Sequence, residues 1–296
     1  MQDALLAPSP HRTASGQPTK GAITIAAQPD KPTPVSADIH GQLVFLGTGT
    51  SVGVPALGCG CDVCQSTNAK NHRTRCAVIL GLPQGNLLID TPPDLRMQLL
   101  REGIGVAHAV LFTHSHADHL FGLDDLRLLP FYLGHAVPIY CNTETESRIR
   151  KSFDYAFSDK PDTHDGATPK LEIRNIDLAA FSVLGTRVIP ILLKHGHWDV
   201  LGFRFGDVAY CTDVNAIPDA SWPLLEGLDV LVLDALRNRP HVTHFSLEEA
   251  VETAKRIGAR QTYFTHMSHE LEHEATNAML PERMQLAYDG LRIALS

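Results

Sequence analysis

The sequence predicts an α/β fold whose functional side chains gather along one edge of its sheets. Short apolar runs that are typical of buried strands alternate with amphipathic segments that are typical of helices. Six predicted strands end, near positions 90, 113, 194, 211, 233 and 264, within two residues of an Asp or a His. Because strand ends on a shared rim are where α/β folds build their sites, this repetition predicts a site at such a rim.

The elements follow in order from the apolar runs and the turn signals between them. Residues 1–40 are rich in proline and have no sustained period, which predicts a disordered leader that ends against the folded domain near Ile39. Residues 41–296 are expected to form one domain. The strands are predicted at 43–46, 76–80, 86–89, 109–112, 137–141, 187–193, 202–206, 208–211, 230–233 and 262–264, and the helices at 93–102, 120–129, 144–155 and 246–257.

The most informative stretch is HSHADH at positions 114–119, directly after the apolar run 109–112. Three imidazoles and one carboxylate are costly to bury unless a cation binds them. Neutral imidazole and carboxylate are the usual ligands of Zn, Mn and Fe at hydrolytic sites. On a turn that leaves a strand, His114 and His116 can point one way while Asp118 and His119 point elsewhere, and this arrangement suits two metals side by side.

A second metal-binding pattern is the glycine-rich loop CGCDVC at positions 59–64. Three of the six cysteines, Cys59, Cys61 and Cys64, fall within six residues, a spacing that suits a thiolate zinc site better than a disulfide framework. Tetrahedral zinc needs a fourth ligand from elsewhere, and a histidine is the expected type. The same cysteine usage favours a reducing compartment.

Two strand ends leave more than one interpretation open. The turn GTGTS at 47–51 offers backbone N–H groups for a phosphate, which makes Thr48 a candidate substrate contact, although a tight turn near the site also explains the pattern. Asp90 follows another apolar strand. Its carboxylate either caps the helix at 93–102 or supports a metal site, and one side chain could do both.

Composition narrows the class of protein. The formal net charge of −8 disfavours a generic nucleic-acid binder, and no apolar run approaches the ~20 residues that cross a bilayer. The N-terminus lacks the charge and apolar pattern of a secretory signal, so a cytoplasmic protein is expected. The cysteine loop and the leucine-rich segment 126–133 are candidates for a homodimer surface.

With these residues considered together, the chain resembles the metallo-β-lactamase-fold hydrolases. Within that superfamily, the cysteine loop after a Gly-Thr turn and the C-terminal THMSH at 265–269 resemble the phosphoribosyl 1,2-cyclic phosphate phosphodiesterases of the carbon–phosphorus lyase pathway. The similarity covers about residues 42–296. It implies a four-layer αββα metallo-β-lactamase sandwich with two active-site metals, Mn or Zn, and one structural Zn.

The resemblance also implies a role for each matching position. One metal would be held by His114, His116 and His195, and the other by Asp118, His119 and His266. Asp213 would bridge the two metals, and His269 would complete the structural zinc site with the three cysteines. His197 is an alternative to His195, which is preferred because it lies closer to the strand end. The resemblance further implies that His244 protonates the leaving oxygen and that Asp90 orients the ligands. His241 is a candidate substrate contact because it lies near His244 in the sequence.

The hypothesis that follows is a metal-dependent phosphodiesterase acting on a small molecule. A hydroxide shared by the two metals would attack a cyclic phosphodiester, with Asp118 and Asp213 holding the metals and His244 giving a proton to the departing sugar oxygen. One alternative is an RNA-processing nuclease of the RNase Z type, against which the acidic charge counts. Another is a non-hydrolytic relative of pyrroloquinoline quinone biosynthesis protein B, from which the full dinuclear ligand set would be absent.

Overall fold

The protein is described here by a computed structural model that covers residues 33–158, 164 and 166–295. Most of the predicted leader, residues 1–32, lies outside the described residues. Residues 33–39 form no helix or strand, and Ile39 is buried against the outer face of the first sheet. Ile39 therefore packs on the domain at the position where the leader is expected to end.

The described residues form two seven-stranded mixed sheets. In chain order the strands are β1 Gln42–Gly47, β2 Ala77–Leu82, β3 Gly85–Ile89, β4 Ala109–Leu111, β5 Val137–Cys141, β6 Leu171–Asn175, β7 Phe181–Val183, β8 Thr186–His195, β9 Trp198–Phe205, β10 Val208–Cys211, β11 Val230–Asp234, β12 Gln261–Thr265, β13 Met284–Leu286 and β14 Arg292–Ala294. The order in the first sheet is β14-β1-β2-β3-β4-β5-β6, and the order in the second is β13-β12-β11-β10-β9-β8-β7.

In each sheet, a set of parallel strands has its carboxyl ends along one edge of that sheet. In the first sheet β3 to β6 are parallel, and in the second β10 to β13 are parallel, while the strands before them are antiparallel. The carboxyl ends of β3 and β4 lead to Asp90 and His114, and those of β10, β11 and β12 lead to Asp213, Asp234 and His266.

Helices cover the outer face of each sheet. They are α1 Leu95–Glu102, α2 Ala117–Leu120, α3 Leu129–Leu133, α4 Thr143–Ser152, α5 Leu247–Ile257 and α6 His273–Met279, with 3-10 turns at Ala69–Asn71, Leu123–Leu128, Asp154–Phe157 and Asp219–Leu225. The alternation of side chains along β1 shows the layering: Leu43 and Phe45 lie in the core between the sheets, whereas Val44 and Leu46 pack under the helices. Because both faces of the strands are buried, the strands read as continuous apolar runs, and the predicted four-layer αββα sandwich is confirmed.

One predicted helix is wrong. Residues 120–129 do not form a continuous helix, because the chain breaks at Gly122 into the end of α2, a 3-10 turn and then α3. The N–H of Gly122 donates to the carbonyl of Thr91, and a Cβ at this position would lie 2.0 Å from the carbonyl oxygen of Pro92. The N–H of Gly122 therefore bonds to the loop after β3 and not to a preceding helical turn. The strands β6, β7, β13 and β14 were not predicted, since they are short and all four lie at a sheet edge.

Within the described chain, no helix is long and apolar enough to cross a membrane.

The core between the sheets predicts a large effect of truncation at Phe203, which is fully buried on β9. We expect Phe203→Ala to lower the free energy of unfolding by about 3–5 kcal/mol, because the cavity left behind cannot collapse fully. Denaturant unfolding measures this change. The control is Leu100→Ala on α1, where the side chain is 60% exposed and the expected loss is below about 0.5 kcal/mol. Equal losses in the two variants would contradict the assignment of Phe203 to the core.

Candidate active site

The predicted strand-end residues meet at one edge of the sandwich, between the two sheets. Three of them, Asp90, Asp213 and His266, have φ values of 65°, 54° and 60°. This left-handed region is strained for residues other than glycine, and such strain concentrates at functional sites. The chain therefore turns sharply just after each of these strands, and the side chain at the turn stays over the edge of the sheet.

Asp90 fixes the orientation of two histidines from a fully buried position. Its carboxylate accepts hydrogen bonds from the backbone N–H and the hydroxyl of Thr113, at 2.9 and 2.8 Å, and from Nδ1 of His119 at 2.8 Å. Because the Thr113 hydroxyl donates to Asp90, it accepts from Nδ1 of His114, 2.9 Å away. Burial raises the pKa of Asp90, and these contacts with His119 and Thr113 oppose that rise. Of the two predicted roles, the structure supports ligand orientation, since α1 begins after Asp94 and not at Asp90.

Asp213 lies between two groups of ligand atoms. Its Oδ1 is 3.1 Å from Nε2 of His119 and 3.4 Å from Nε2 of His266. Its Oδ2 is 3.8 Å from Nε2 of His114 and 3.9 Å from Nε2 of His195. Each oxygen of this one carboxylate therefore faces a different group.

The two groups have the composition that the resemblance implied. Within each group, the potential ligand atoms all lie within 4.8 Å of one another. The first group is His114, His116, His195 and Asp213, and the second is Asp118, His119, Asp213 and His266. We call these seven residues the histidine–aspartate cluster.

The cluster fits a pair of divalent cations. Nε2 of His114, His119 and His266 is buried and has no hydrogen-bond partner within the described chain, which is costly unless a cation is bound. Ligands 2.0–2.1 Å from a tetrahedral zinc stand about 3.3 Å apart. The distances of 3.1–3.6 Å among Asp118, His119, Asp213 and His266 agree with that spacing.

The charges of the cluster also favour bound cations. Burial disfavours charge on His119, but the surrounding carboxylates, Asp213 foremost, raise its pKa well above the usual range. Burial and the neighbouring His119 lower the pKa of His114 well below that range, so this imidazole is neutral and free to act as a ligand. Three carboxylates, those of Asp90, Asp118 and Asp213, are enclosed here. Such an excess of negative charge favours a bound cation.

The choice between His195 and His197 is clear from their positions. His195 is 3% exposed, and its Nδ1 donates to the carbonyl of Thr243 at 2.7 Å, which leaves Nε2 facing Asp213. His197 is exposed and packs on the ring of Trp198. Only His195 belongs to the cluster in the part of the chain described.

His244 lies beside the cluster and is held by a carboxylate. Its Nδ1 donates to Oδ2 of Asp234 at 2.7 Å, and the same oxygen accepts from the N–H of Val214 at 3.0 Å. Burial opposes a charge on His244, but Asp234 raises its pKa to about 9. The ring is 4.5 Å from that of His195 and 4.7 Å from that of His266. His241 is half-buried, with its ring 5.3 Å from that of His244, and is thus near the cluster as predicted.

The cysteine loop meets the predicted histidine at a separate place. Nδ1 of His269 is 3.2, 3.5 and 3.4 Å from Sγ of Cys59, Cys61 and Cys64. A zinc ion with Zn–S and Zn–N distances of about 2.3 and 2.1 Å sets its ligands roughly 3.6 Å apart, so the four residues fit such an ion. The backbone N–H of Cys64 is the main cause that lowers the pKa of Cys61 to about 7, whereas burial raises that of Cys64 to about 11. We call these four residues the cysteine knuckle.

Arg73 joins the two metal-ligand regions. It is 1% exposed, and its guanidinium donates to the carbonyls of Ser268 and Leu271 at 2.8 and 2.6 Å. This contact fixes the segment that carries both His266 and His269.

The structure does not support a substrate contact by Thr48. The side chain is fully buried, and its N–H and hydroxyl both donate to Oδ1 of Asp289, at 2.9 and 2.8 Å. The other oxygen of Asp289 accepts from the N–H and hydroxyl of Thr74. The turn is therefore held by a carboxylate and is not open to a phosphate, so of the two predicted explanations the tight turn is the correct one.

Three contributors to the site were missed from the sequence. The position of Asp234 directly after a strand and ten residues before His244 was a usable signal, and so was Thr113 next to the histidine motif. Asp289 had no such signal, because its partners Thr48 and Thr74 are more than two hundred residues away in the chain.

Comparison with known proteins agrees with this geometry. The family model described as a β-lactamase superfamily domain matches residues 85–267, more than half of the chain. An octanoyltransferase of Porphyromonas gingivalis is 35% identical over 84% of this chain, and the chain spans about half, 51%, of that relative's length. A ribonuclease Z of Anoxybacillus flavithermus is 25% identical over 81% of this chain and 91% of its own length.

Solved structures give the same result. A protein described as a new diphosphatase from the PhnP family is 44% identical, with a TM-score of 0.80 over 85% of this chain and 96% of its own. Zn²⁺-bound PqqB from Methylobacterium extorquens is 19% identical, with a TM-score of 0.68 over 86% of this chain and all of its own, and shows the same fold. This chain therefore belongs to the β-lactamase superfamily and has the metallo-β-lactamase fold.

Proposed function

We propose that this protein is a dinuclear phosphodiesterase that hydrolyses a small, cyclic phosphodiester such as phosphoribosyl 1,2-cyclic phosphate. The observation that carries the proposal is the position of Asp213, whose two oxygens face two separate groups of imidazoles. The similarity to a PhnP-family diphosphatase supports a phosphorus ester as the substrate.

Each member of the cluster has a defined part in this proposal. His114, His116 and His195 would hold one cation, Asp118, His119 and His266 the other, and Asp213 both. Two divalent cations, Mn or Zn, would supply Lewis-acid stabilisation of the phosphate charge and a water acidic enough to serve as the nucleophile near neutral pH. Asp90, Thr113 and the carbonyl of Thr243 set the tautomers of His119, His114 and His195, which turns each Nε2 towards the centre.

His244 is the proposed proton donor. Because its Nδ1 is bonded to Asp234, its Nε2 is the atom left for the substrate. With a pKa of about 9, the imidazole carries the proton at neutral pH and gives it to the departing sugar oxygen. His241, next to it, is proposed to contact the substrate.

The two alternatives remain as further outcomes of the tests. A ribonuclease would cleave RNA, and the net charge of −8 counts against this alternative because it is unfavourable for binding RNA. A non-hydrolytic relative of PqqB would show no turnover with any metal. The proposals that the protein is cytoplasmic and forms a homodimer are separate from the reaction, and the first is consistent with the six free cysteines.

The first test is turnover of bis(p-nitrophenyl) phosphate by protein loaded with Mn or Zn. We expect Asp213→Asn to lower kcat/KM by about a hundredfold or more and to lower the metal content, because the shared ligand loses its charge. His195→Ala should behave alike, and His197→Ala is the matched control that leaves both quantities unchanged. Elemental analysis accompanies the kinetics. Full activity in Asp213→Asn would overturn the proposed dinuclear site.

The second prediction concerns His244 and its leaving group. p-Nitrophenolate departs without a proton, whereas the alkoxide of a 2′,3′-cyclic nucleotide needs one. We therefore expect His244→Ala to reduce kcat on the cyclic nucleotide by about 10²–10⁴-fold and to reduce kcat on bis(p-nitrophenyl) phosphate far less. Asp234→Asn should show the same selectivity more weakly. Equal losses on both substrates would remove the proton-donor role.

The third prediction separates the cysteine knuckle from the reaction centre. We expect Cys61→Ser to lose one tightly held zinc per chain and to lower the Tm, since a structural zinc contributes directly to folding free energy. The control is Asp62→Asn in the same loop, where the side chain is exposed. An unchanged zinc content in Cys61→Ser would show that these four residues do not bind the metal.

A further inference from the structure

Residues 241–244 carry two of the proposed functional side chains, His241 and His244, but belong to no helix or strand. We call this segment the histidine loop. The N–H of Thr243 donates to Nδ1 of His241 at 3.4 Å, so the loop is folded on itself. Because the loop lies outside the helices and the strand ladders, individual contacts with neighbouring segments set its position beside the cluster.

The base of the histidine loop is fixed by the residue that follows Asp213. The N–H of Phe245 donates to the carbonyl of Val214 at 2.8 Å. The N–H of Val214 in turn donates to Oδ2 of Asp234, the oxygen that also accepts from His244. The base of the loop therefore has a fixed position relative to the shared carboxylate of the cluster.

The tip of the histidine loop is joined to the turn after β8 by one side chain, that of Asn215. Its Oδ1 accepts from the N–H of Gly196 at 2.7 Å, and its Nδ2 donates to the carbonyl of Val242 at 3.1 Å. A backbone N–H can only donate and a carbonyl can only accept, so a single orientation of the amide satisfies both partners. A carboxamide suits this bridge, whereas a carboxylate could accept from Gly196 but could not donate to Val242.

The backbone of Asn215 is itself fixed against β8. Its N–H donates to the carbonyl of Lys194 at 2.9 Å, and the N–H of Lys194 donates to the carbonyl of Ala216 at 3.0 Å. The side chain of Asn215 is half-buried. The bridge to the histidine loop therefore starts from a strand of the second sheet and not from a free loop.

The turn after β8 and the histidine loop are in direct contact. Gly196 has a φ of 65°, and a Cβ at this position would lie 2.8 Å from Cγ2 of Thr243. The carbonyl of Thr243 accepts from Nδ1 of His195 at 2.7 Å. The metal-ligand candidate His195 and the glycine after it thus both border the loop that carries His244.

We propose that Asn215 is a positioning residue, which holds the histidine loop at the distance from the cluster that proton transfer from His244 requires. This inference rests on the proposed function, because it takes His244 as the proton donor. Proton transfer needs heavy atoms about 2.6–3.2 Å apart, and a displacement of about 1 Å can lower a rate roughly a hundredfold. Asn215 acts on this distance through the carbonyl of Val242.

The test is Asn215→Asp in the metal-loaded protein, assayed on 2′,3′-cyclic AMP and on bis(p-nitrophenyl) phosphate. The carboxylate keeps the size of the side chain and the bond to Gly196, but it sets an oxygen against the carbonyl of Val242. We expect kcat on the cyclic nucleotide to fall about tenfold to a hundredfold. On bis(p-nitrophenyl) phosphate, whose leaving group needs no proton, we expect kcat to change less than about twofold. Asn215→Ala, which removes both bonds, should show the same selectivity.

The matched control is Ala216→Asp, which adds the same charge one residue further on, at an exposed position. It should leave kcat on both substrates unchanged, and elemental analysis should find the same metal content in all variants. Amide hydrogen exchange of residues 241–245 is a second measurement, which does not depend on turnover. We expect this segment to exchange several-fold faster in Asn215→Asp than in the wild-type protein or the control.

The possible outcomes separate this inference from the proposed function. A selective loss in His244→Ala that is absent from Asn215→Asp leaves the proposed function standing and refutes the role of Asn215. Equal losses on both substrates, or a loss of metal, in Asn215→Asp also refute it, since the side chain would then act on the cluster through His195. Unchanged hydrogen exchange in Asn215→Asp refutes the bridge whatever the kinetics show. No turnover of either substrate by the wild-type protein with Mn or Zn refutes the proposed function, and the role in proton transfer with it.

Discussion

The buried carboxylate of Asp90 is the interaction on which the reaction centre depends. It joins the end of β3 to the end of β4 through Thr113 and to α2 through His119, so that three elements share one anion. A buried carboxylate without partners is costly. Asp90 is tolerated because it accepts hydrogen bonds from Thr113 and His119, and these bonds also fix the orientation of the donors. The result is a rigid imidazole pair whose outer nitrogens are satisfied and whose inner nitrogens are not.

The opposite sheet supplies the complementary half by the same means. The carboxyl ends of β10, β11 and β12 lead to Asp213, Asp234 and His266, and Asp213 and His266 take the left-handed backbone conformation that Asp90 also takes. Strain of this kind costs of order 1–3 kcal/mol at each position and persists only where the surroundings enforce it. Here the packed core between the sheets enforces the strained conformation. The strain lowers the stability of the fold, and it allows side chains from both sheets to meet at one carboxylate, Asp213.

The layers of the fold and the residues that meet at the site could be predicted from the sequence. Buried strands are recognisable as apolar runs, and a polar residue directly after such a run stands out. The sequence was not sufficient where a distant contact decides the local structure. Gly122 breaks a segment with a helical pattern because its N–H bonds to Thr91, and Thr48 looked like a phosphate contact because nothing near it in the chain reveals Asp289. Asp234 was visible as a strand-end residue ten positions before His244, but the bond between their side chains depends on how β11 and the loop before α5 pack in space.

The spacing of His266 and His269 has a consequence for how the two metal regions respond to each other. The two residues between His266 and His269 leave little slack, and Arg73 bonds to the backbone on either side of His269. A displacement of the knuckle therefore moves the backbone that carries His266. If both regions bind metal, the metal affinity of each would depend on the occupancy of the other, and thermodynamic reciprocity would make the two effects equal. If zinc binds there, the knuckle would act on the reaction centre as well as hold its loop in place.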